Sequence, residues 1–154
     1  MTKNIQVSSA IIIIGNEILS GRTKDINTST IATWLNQLGV RVQEVRVIPD
    51  VEAIIVSTIN KLRKKYSYVF TTGGIGPTHD DITAQSISKA FGVKYGIHKE
   101  AYKILEDYYK KSEFNEGRKK MALMPVNAKL ILNPTSGAPG FIMENVFCLP
   151  GVPS

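Results

Sequence analysis

The sequence contains a single cysteine, so no disulfide can link two parts of the chain. Cys148 lies in the short apolar run from Val146 to Leu149, where a buried thiol acts as a small hydrophobic side chain. Chains without a disulfide framework are typical of reducing compartments. We therefore expect a cytoplasmic protein.

Targeting and membrane segments are lacking as well. The stretch from Met1 to Ile14 has one lysine and a short apolar run without a small-residue cleavage pattern, which argues against a signal peptide. No other run is long enough to cross a bilayer, and there are no internal repeats, low-complexity tracts or linkers. A chain of 154 residues with 43% hydrophobic content is long enough for one well-buried core, so we expect a single domain over residues 1–154.

The chain also lacks a concentrated block of positive charge, although its net charge is +6. The basic residues are spread out, which argues against nucleic acid as a partner. The cluster from Lys61 to Lys65 suits the negative end of a helix dipole. A second cluster, Arg118 to Lys120, is either a solvated face or a group of cations that neutralises an anionic small ligand.

Hydrophobic periodicity indicates alternating strands and helices. Ala10 to Ile14 is apolar on both faces, as in a central strand, and Val40 to Ile48 alternates with one break in phase. Further strands are predicted at 68–72, 93–97, 128–132, 140–143 and 146–149, the last two joined in a hairpin by Glu144 and Asn145. Asn27 or Thr28 is predicted to cap a helix that ends at Gly39, with an apolar stripe of Ile31, Trp34, Leu35 and Leu38. Asp50 is predicted to cap the next helix, whose buried stripe is Val51, Ile54, Ile55, Thr58 and Leu62. Helices are also predicted over 81–91, with Gly92 as its end, and over 100–110 and 116–123. The fold class predicted from this order is α/β, a three-layer α/β/α sandwich with a mostly parallel central sheet.

Ligands of such folds bind at the carboxyl ends of the strands. Three loops lie there by position: Gly15 to Glu17, the glycine-rich segment Thr71 to Thr83, and Leu149 to Ser154. The glycine-rich segment is not a dinucleotide fingerprint, because His79 replaces the third glycine, and it is not a P-loop, because no Gly-Lys-Ser/Thr follows. It remains an anion-binding loop to which Thr71, Thr72 and Thr78 add hydroxyl groups.

Two adjacent carboxylates, Asp80 and Asp81, follow this loop. One of them is explained by a helix cap, since Thr-x-x-Asp resembles a capping box. Two carboxylates beside a phosphate site would repel the ligand unless a cation intervened, so the alternative is a Mg²⁺, Co²⁺ or Mn²⁺ ion held by Asp81, Asp80 or both.

Other polar residues are weaker candidates. Glu17 is a further acid of the same crevice or a solvated loop residue, and Arg22 and Lys24 either clamp phosphate or lie on an ordinary surface loop. His79 is a possible proton donor, although an exposed loop histidine usually has no role. The rigid loop from Asn133 to Gly140 is a connector or a wall that presents amides and a hydroxyl to a ligand.

The motifs resemble the molybdopterin-binding (MoCF) domain superfamily. The resemblance covers Ile11 to Ser154 and rests on Gly73 to Thr83, Gly15 to Gly21 and Leu149 to Ser154, which occur in matching order. Within the superfamily the chain is most similar to the amino-terminal domain of CinA proteins and to the related domain of FAD synthases. Those relatives continue into a helix after the final turn, so we expect the domain to be truncated at its C-terminal end.

The resemblance implies a nucleotide or pterin ligand, a divalent metal and assembly as a dimer or trimer. In the molybdopterin adenylyltransferases the acid that matches Asp81 supports Mg²⁺-dependent AMP transfer, whereas CinA-like members and FAD synthase relatives split pyrophosphates such as ADP-ribose or FAD. Asp80 stands where the adenylyltransferases usually have a basic residue, which favours a nucleotide pyrophosphatase. The alternatives are a non-catalytic binding module and a molybdopterin adenylyltransferase. The predicted site consists of catalytic and metal-binding Asp80 and Asp81, with ligand contacts from Asn16, Glu17, Thr72, Gly73, Gly74, Gly76, Pro77, Thr78, Ser136, Gly137, Pro150, Gly151 and Ser154.

Overall fold

A computed structural model describes residues 7–110, 113–133 and 138–150. Its strands are β1 (Ser8–Ile14), β2 (Arg41–Ile48), β3 (Tyr68–Thr72), β4 (Tyr95–Ile97), β5 (Leu123–Pro125), β6 (Lys129–Ile131), β7 (Gly140–Met143) and β8 (Val146–Leu149). Its helices are α1 (Asn16–Leu19), α2 (Asn27–Gln37), α3 (Glu52–Lys65), α4 (Thr83–Phe91), α5 (Lys99–Tyr108) and α6 (Glu116–Lys120). No helix of these described segments is long and apolar enough to cross a membrane.

The central sheet has six strands in the order β2-β1-β3-β8-β7-β6. Strands β2, β1, β3 and β8 are parallel, whereas β7 and β6 run antiparallel to their neighbours. The predicted α/β class with a mostly parallel sheet is therefore confirmed. The hairpin of β7 and β8 is also confirmed, and it places the end of β8 beside the end of β3.

Strand β1 forms the centre of the core, because Ala10 to Ile14 are all at most 2% exposed. Ala10, Ile12 and Ile14 contribute to the larger cluster, which contains buried residues of α3, α4 and α5, whereas Ile11 and Ile13 belong to a smaller cluster with Leu35 of α2. Burial on both faces explains why this strand is an uninterrupted β-branched run.

Helix α2 is less buried than the sequence predicts. Of its expected apolar stripe only Leu35 is buried, while Trp34 is 53% and Leu38 59% exposed. An open apolar groove lies beside the helix and is lined by Ile31, Trp34, Phe70, Ile131, Ile142, Phe147 and Leu149. The predicted cap is wrong as well, because the carboxylate of Asp25 accepts the backbone N–H groups of Asn27 and Thr28.

Two further predictions require correction. Asp50 does not cap α3, where Val51 is the N-cap residue and no side chain bonds to the helix end, and the predicted apolar positions Val51 and Ile54 are exposed. The predicted helix over 116–123 ends at Lys120, because the chain then forms β5, which pairs with β4 in a separate two-stranded sheet. Strand β5 also contacts α4.

Candidate functional site

The glycine loop, defined as Gly73 to Gly76, is held at the carboxyl edge of the sheet. The backbone N–H of Gly73 donates to the carbonyl of Leu149 at 3.2 Å, which ties the end of β3 to the end of β8. Gly73 has a φ of 93°, and a Cβ atom at this position would lie 2.2 Å from the Ile14 carbonyl oxygen at the end of β1. Only glycine permits this approach between three strand ends.

Thr83 closes the loop from its other side. The buried Thr83 donates its backbone N–H to the Gly74 carbonyl at 2.9 Å and its hydroxyl to the Gly73 carbonyl at 3.0 Å. Helix α4 begins at this residue, two positions after the predicted start at Asp81. The segment 75–82 is therefore an extended loop between the anchored glycines and the helix.

Asp81 shapes the turn that precedes α4. Its Oδ2 atom accepts the backbone N–H of Thr78 at 2.9 Å and the Thr78 hydroxyl at 2.8 Å, so the expected Thr-x-x-Asp contact exists, although it closes a turn and not the helix end. A Cβ atom at position 76 would lie 2.9 Å from the same oxygen, so Gly76 makes room for the carboxylate. None of the described residues donates to Oδ1 of Asp81, which leaves this oxygen available to a ligand.

Lys120 supports the same turn from α6. Its ammonium group donates to the carbonyl oxygens of Thr78 and Asp81, the latter at 2.5 Å. Burial lowers the pKa of Lys120, and the negative charges of Asp81 and Asp80 oppose that shift. The turn from Thr78 to Asp81, called the acidic turn below, is thus held by a residue that lies some 40 positions further along the chain.

Asp50 lies next to the candidate site through Asn16, a position that the sequence interpretation missed. The backbone N–H of Asn16 donates to Asp50 Oδ2 at 3.1 Å, and the N–H of Asp50 donates to Asn16 Oδ1 at 3.3 Å. Burial raises the pKa of Asp50, with further raising contributions from the charges of Glu17, Asp81 and Asp80, against the Asn16 hydrogen bond. Its position directly after β2, at the carboxyl edge, was the signal that could have identified it.

A cavity of about 510 Å³ opens over the glycine loop. It is lined by Glu17, Gly73, Gly74, Ile75, Gly76, Pro77, Asp81, Tyr109, Arg118, Met121, Ala138 and Pro150. The three loops predicted to converge therefore do so, since Glu17 follows β1, the glycines follow β3 and Pro150 follows β8. Arg118 and Tyr109 come from the α5–α6 region. For the cluster that contains Arg118, the cavity lining favours the predicted alternative of a ligand contact over a solvated face, whereas Tyr109 was not predicted.

Other predicted residues lie elsewhere. Asp80 and His79 are highly exposed and contact each other, with His79 Nε2 3.3 Å from Asp80 Oδ1. Thr72 and Lys24 line a small neighbouring cavity of about 50 Å³ that also includes Glu17. Arg22 is exposed and bonds to the Ser20 hydroxyl, while Ser136, Gly137, Gly151 and Ser154 lie outside the described residues.

The cavity lining combines a glycine-rich backbone segment with two carboxylates and one guanidinium group. The described residues contain no ready group of three carboxylate, histidine or cysteine side chains that would hold a metal ion alone. Glu17 and Asp81 line the cavity together, and hard cations bind carboxylate oxygens. A cation there would complete its coordination with oxygens of the bound ligand and of water.

Comparisons with known proteins agree with this geometry. Residues 10–154 match the family described as "Probable molybdopterin binding domain". A protein of Archaeoglobus fulgidus is 40% identical over 144 residues, which are 94% of this chain and 62% of that protein. A CinA-like protein of Citrifermentans bemidjiense is 37% identical over 150 residues, 94% of this chain and 36% of its own length. The chain thus spans about three fifths or less of such curated relatives.

Solved structures give the same result. The protein CinA from Thermoplasma acidophilum superposes with a TM-score of 0.87 at 32% identity, covering 95% of this chain and 89% of its own. The molybdopterin biosynthesis enzyme MoaB from Thermus thermophilus superposes with a TM-score of 0.58 at 15% identity, covering 96% and 82%, which shows a common fold alone. On the family match and these likenesses, the chain belongs to the molybdopterin-binding domain family and is CinA-like.

Proposed function

We propose that this domain is a metal-dependent nucleotide pyrophosphatase that acts on an ADP-containing dinucleotide or sugar of the ADP-ribose or FAD type. The observation that carries the proposal is that the glycine loop and the carboxylates of Glu17 and Asp81 line one cavity. Backbone amides of such a loop attract phosphate oxygens, whereas carboxylates repel them. A divalent cation between the phosphate and the carboxylates would remove this repulsion, so that the amides and the acids can act on the same ligand.

The residues present fit such a cation. Asp50 has its pKa raised in part by the charges of Glu17, Asp81 and Asp80, so the edge of the sheet carries mutually repelling carboxylates. Mg²⁺, Co²⁺ or Mn²⁺ bound by Asp81 Oδ1 and Glu17 would relieve this repulsion and, when bound, would neutralise charge on the phosphate oxygens. Asp80 is exposed and does not line the cavity, so its part in the proposed site is limited to a screened electrostatic contribution.

The chain's own contribution is positioning. Attack of water on one phosphorus atom breaks the P–O–P bridge and releases two phosphomonoesters, and such reactions depend on alignment and charge neutralisation more than on covalent catalysis. The amides of Gly74 and Gly76 orient the phosphate, since that of Gly73 already donates to Leu149. Thr78 fixes the Asp81 carboxylate by two hydrogen bonds. Lys120 holds the turn that carries both residues.

The proposal is tested with the variant Asp81→Asn. Asparagine keeps an oxygen that accepts the Thr78 N–H, so the turn is retained, but it loses the charge that binds a cation. We expect cleavage of ADP-ribose or FAD in the presence of Mg²⁺, Co²⁺ or Mn²⁺ to fall by at least about a hundredfold, with an unchanged circular dichroism spectrum. The matched control is Asp107→Asn, an exposed acid on α5 that should retain full activity.

Products identified by mass distinguish this reaction from its alternatives. Saturable binding of ADP-ribose without any product would favour a non-catalytic binding module. The likeness to a molybdopterin biosynthesis enzyme motivates a second reaction with molybdopterin and ATP, in which adenylylated molybdopterin would favour the adenylyltransferase. Retained hydrolysis by Asp81→Asn would refute the assignment of that residue. We further propose a cytoplasmic location. We also propose that the protein forms a dimer or trimer, and light scattering measures this oligomeric state.

A further inference from the structure

The α5–α6 region brings a positively charged side chain to the cavity. Gly117 packs against the glycine loop, since a Cβ atom there would lie 3.3 Å from the Pro77 carbonyl oxygen. The side chain of Asn115 caps the helix by accepting the backbone N–H of Arg118 at 2.9 Å. The start of α6 is therefore fixed beside the loop, and Arg118 lines the same cavity as Asp81.

The guanidinium group of Arg118 is held in place by neutral partners. Its central carbon lies 4.3 Å from the centre of the Tyr109 ring, and its Nη1 donates to the carbonyl of Glu113. None of the described carboxylates lies within ion-pair distance of it. The neighbouring cations are engaged differently, because Lys119 pairs with Glu116 at 3.2 Å and Lys120 donates to the loop carbonyls.

A fixed guanidinium without a carboxylate partner is a suitable anion receptor. The group is planar and has five N–H donors in a fork that matches phosphate oxygens, and stacking on an aromatic ring reduces the entropy lost on binding. One donor is used by Glu113, so the others remain for a ligand. The cavity volume of about 510 Å³ leaves room for more than one phosphate group between Arg118 and the glycine loop.

We propose that Arg118, positioned by Tyr109, is a specificity-determining residue that binds the second phosphate of a diphosphate ligand while the glycine loop binds the first. This inference rests on the proposed function and names the feature of the substrate that the site selects. Arg118 discriminates a nucleoside diphosphate from a monophosphate, because only the former reaches both the loop and the guanidinium group.

The test compares ADP and AMP binding by calorimetry in the full chain, with Mg²⁺ present. Arg118→Gln should weaken ADP binding by about tenfold or more and AMP binding by less than about threefold, so the selectivity for ADP falls. The matched control is Lys119→Gln, the adjacent cation of the same helix, which should leave both affinities within about twofold. Arg118→Lys should restore part of the ADP affinity, since it keeps the charge but not the fork.

Tyr109 supplies a second readout. Tyr109→Phe keeps the ring under the guanidinium group and should bind ADP as wild type does, whereas Tyr109→Leu should lose part of the selectivity. Unchanged thermal midpoints would separate these effects from unfolding. The inference is overturned if wild type does not bind ADP, if Arg118→Gln binds ADP as wild type does, or if it loses ADP and AMP affinity equally.

The outcome is separable from that of the proposed function. If ADP binding depends on Arg118 but neither ADP-ribose nor FAD is cleaved, the pyrophosphatase proposal fails and the diphosphate site stands. If ADP-ribose is cleaved and Arg118→Gln retains wild-type affinity for ADP, the activity stands and this inference fails.

Discussion

The substitution Gly73→Ala tests whether the glycine loop is as tightly held as the contacts indicate. Gly73 has a φ of 93°, and its added Cβ would lie 2.2 Å from the carbonyl oxygen of Ile14. Gly92 is the matched control, because its φ of 65° requires the same left-handed region but a Cβ there meets nothing within 4 Å.

Both variants carry the backbone cost of a positive φ, but only Gly73→Ala adds a steric clash. A non-glycine residue in the left-handed region costs about 1–2 kcal/mol, which applies to both. At position 73 the chain must also move by about 0.8 Å to restore a 3.0 Å contact, and Ile14 ends a buried central strand. Overpacking of this kind costs about 1–3 kcal/mol more, so we expect Gly73→Ala to lose about 2–5 kcal/mol and Gly92→Ala about 1–2 kcal/mol.

Urea denaturation followed by far-UV circular dichroism measures the free energies of unfolding, and calorimetry with ADP measures the ligand site. If the loop shifts to relieve the contact, part of the stability is recovered but the amides no longer point at the phosphate, so ADP affinity falls instead. Equal destabilisation of the two variants, together with wild-type ADP affinity in Gly73→Ala, would refute the reasoning.

Three further predictions concern ionisable groups. The pKa of Asp50 is raised in the folded state, so its protonated form favours folding at acid pH and this contribution is lost as pH rises through that pKa. Asp50→Asn should therefore raise the free energy of unfolding near neutral pH and leave it unchanged at pH values below the ordinary aspartate pKa, which urea denaturation at several pH values measures. Burial raises the pKa of Cys148 to about 12, so a thiol reagent should label it only after unfolding; labelling of the native protein would contradict this. Lys120→Met should accelerate amide exchange over 77–82 while leaving 53–64 unchanged, because its two hydrogen bonds hold only the acidic turn.

The parts of the fold that the sequence predicted are those specified by local pattern. Strand β1 is apolar on both faces because it is buried on both, and the β7–β8 hairpin needs only a two-residue turn between short strands. Gly39 and Gly92 end their helices with positive φ, as expected. Convergence of Glu17, the glycine loop and Pro150 followed from the rule that parallel strands end at one edge.

The errors arose where tertiary contacts override local signals. Asp50 has the sequence position of a helix cap, but a reciprocal pair of hydrogen bonds with Asn16 engages it between two loops. The apolar stripe of α2 predicts burial, yet Trp34 stays half exposed beside an open groove. The role of Arg118 was left open between a solvated face and a ligand contact, because tertiary contacts, of Gly117 with Pro77 and of Lys120 with the turn at Asp81, bring α6 to the cavity.

The site combines a rigid loop with negative and positive side chains that come from different secondary-structure elements. The carboxylates follow strands of the sheet, and Arg118 and Lys120 project from α6, so the negative and positive groups are held by different elements. Lys120 reaches backbone carbonyls and leaves the Asp81 carboxylate free of a direct ion pair at 4 Å or less among the described residues. An ion pair between Lys120 and the Asp81 carboxylate would neutralise both charges and weaken the attraction of that carboxylate for a cation. Since neither Asp81 nor Arg118 has an ion-pair partner among the described residues, we expect the site to favour the proposed ligand, a metal ion bound to a diphosphate.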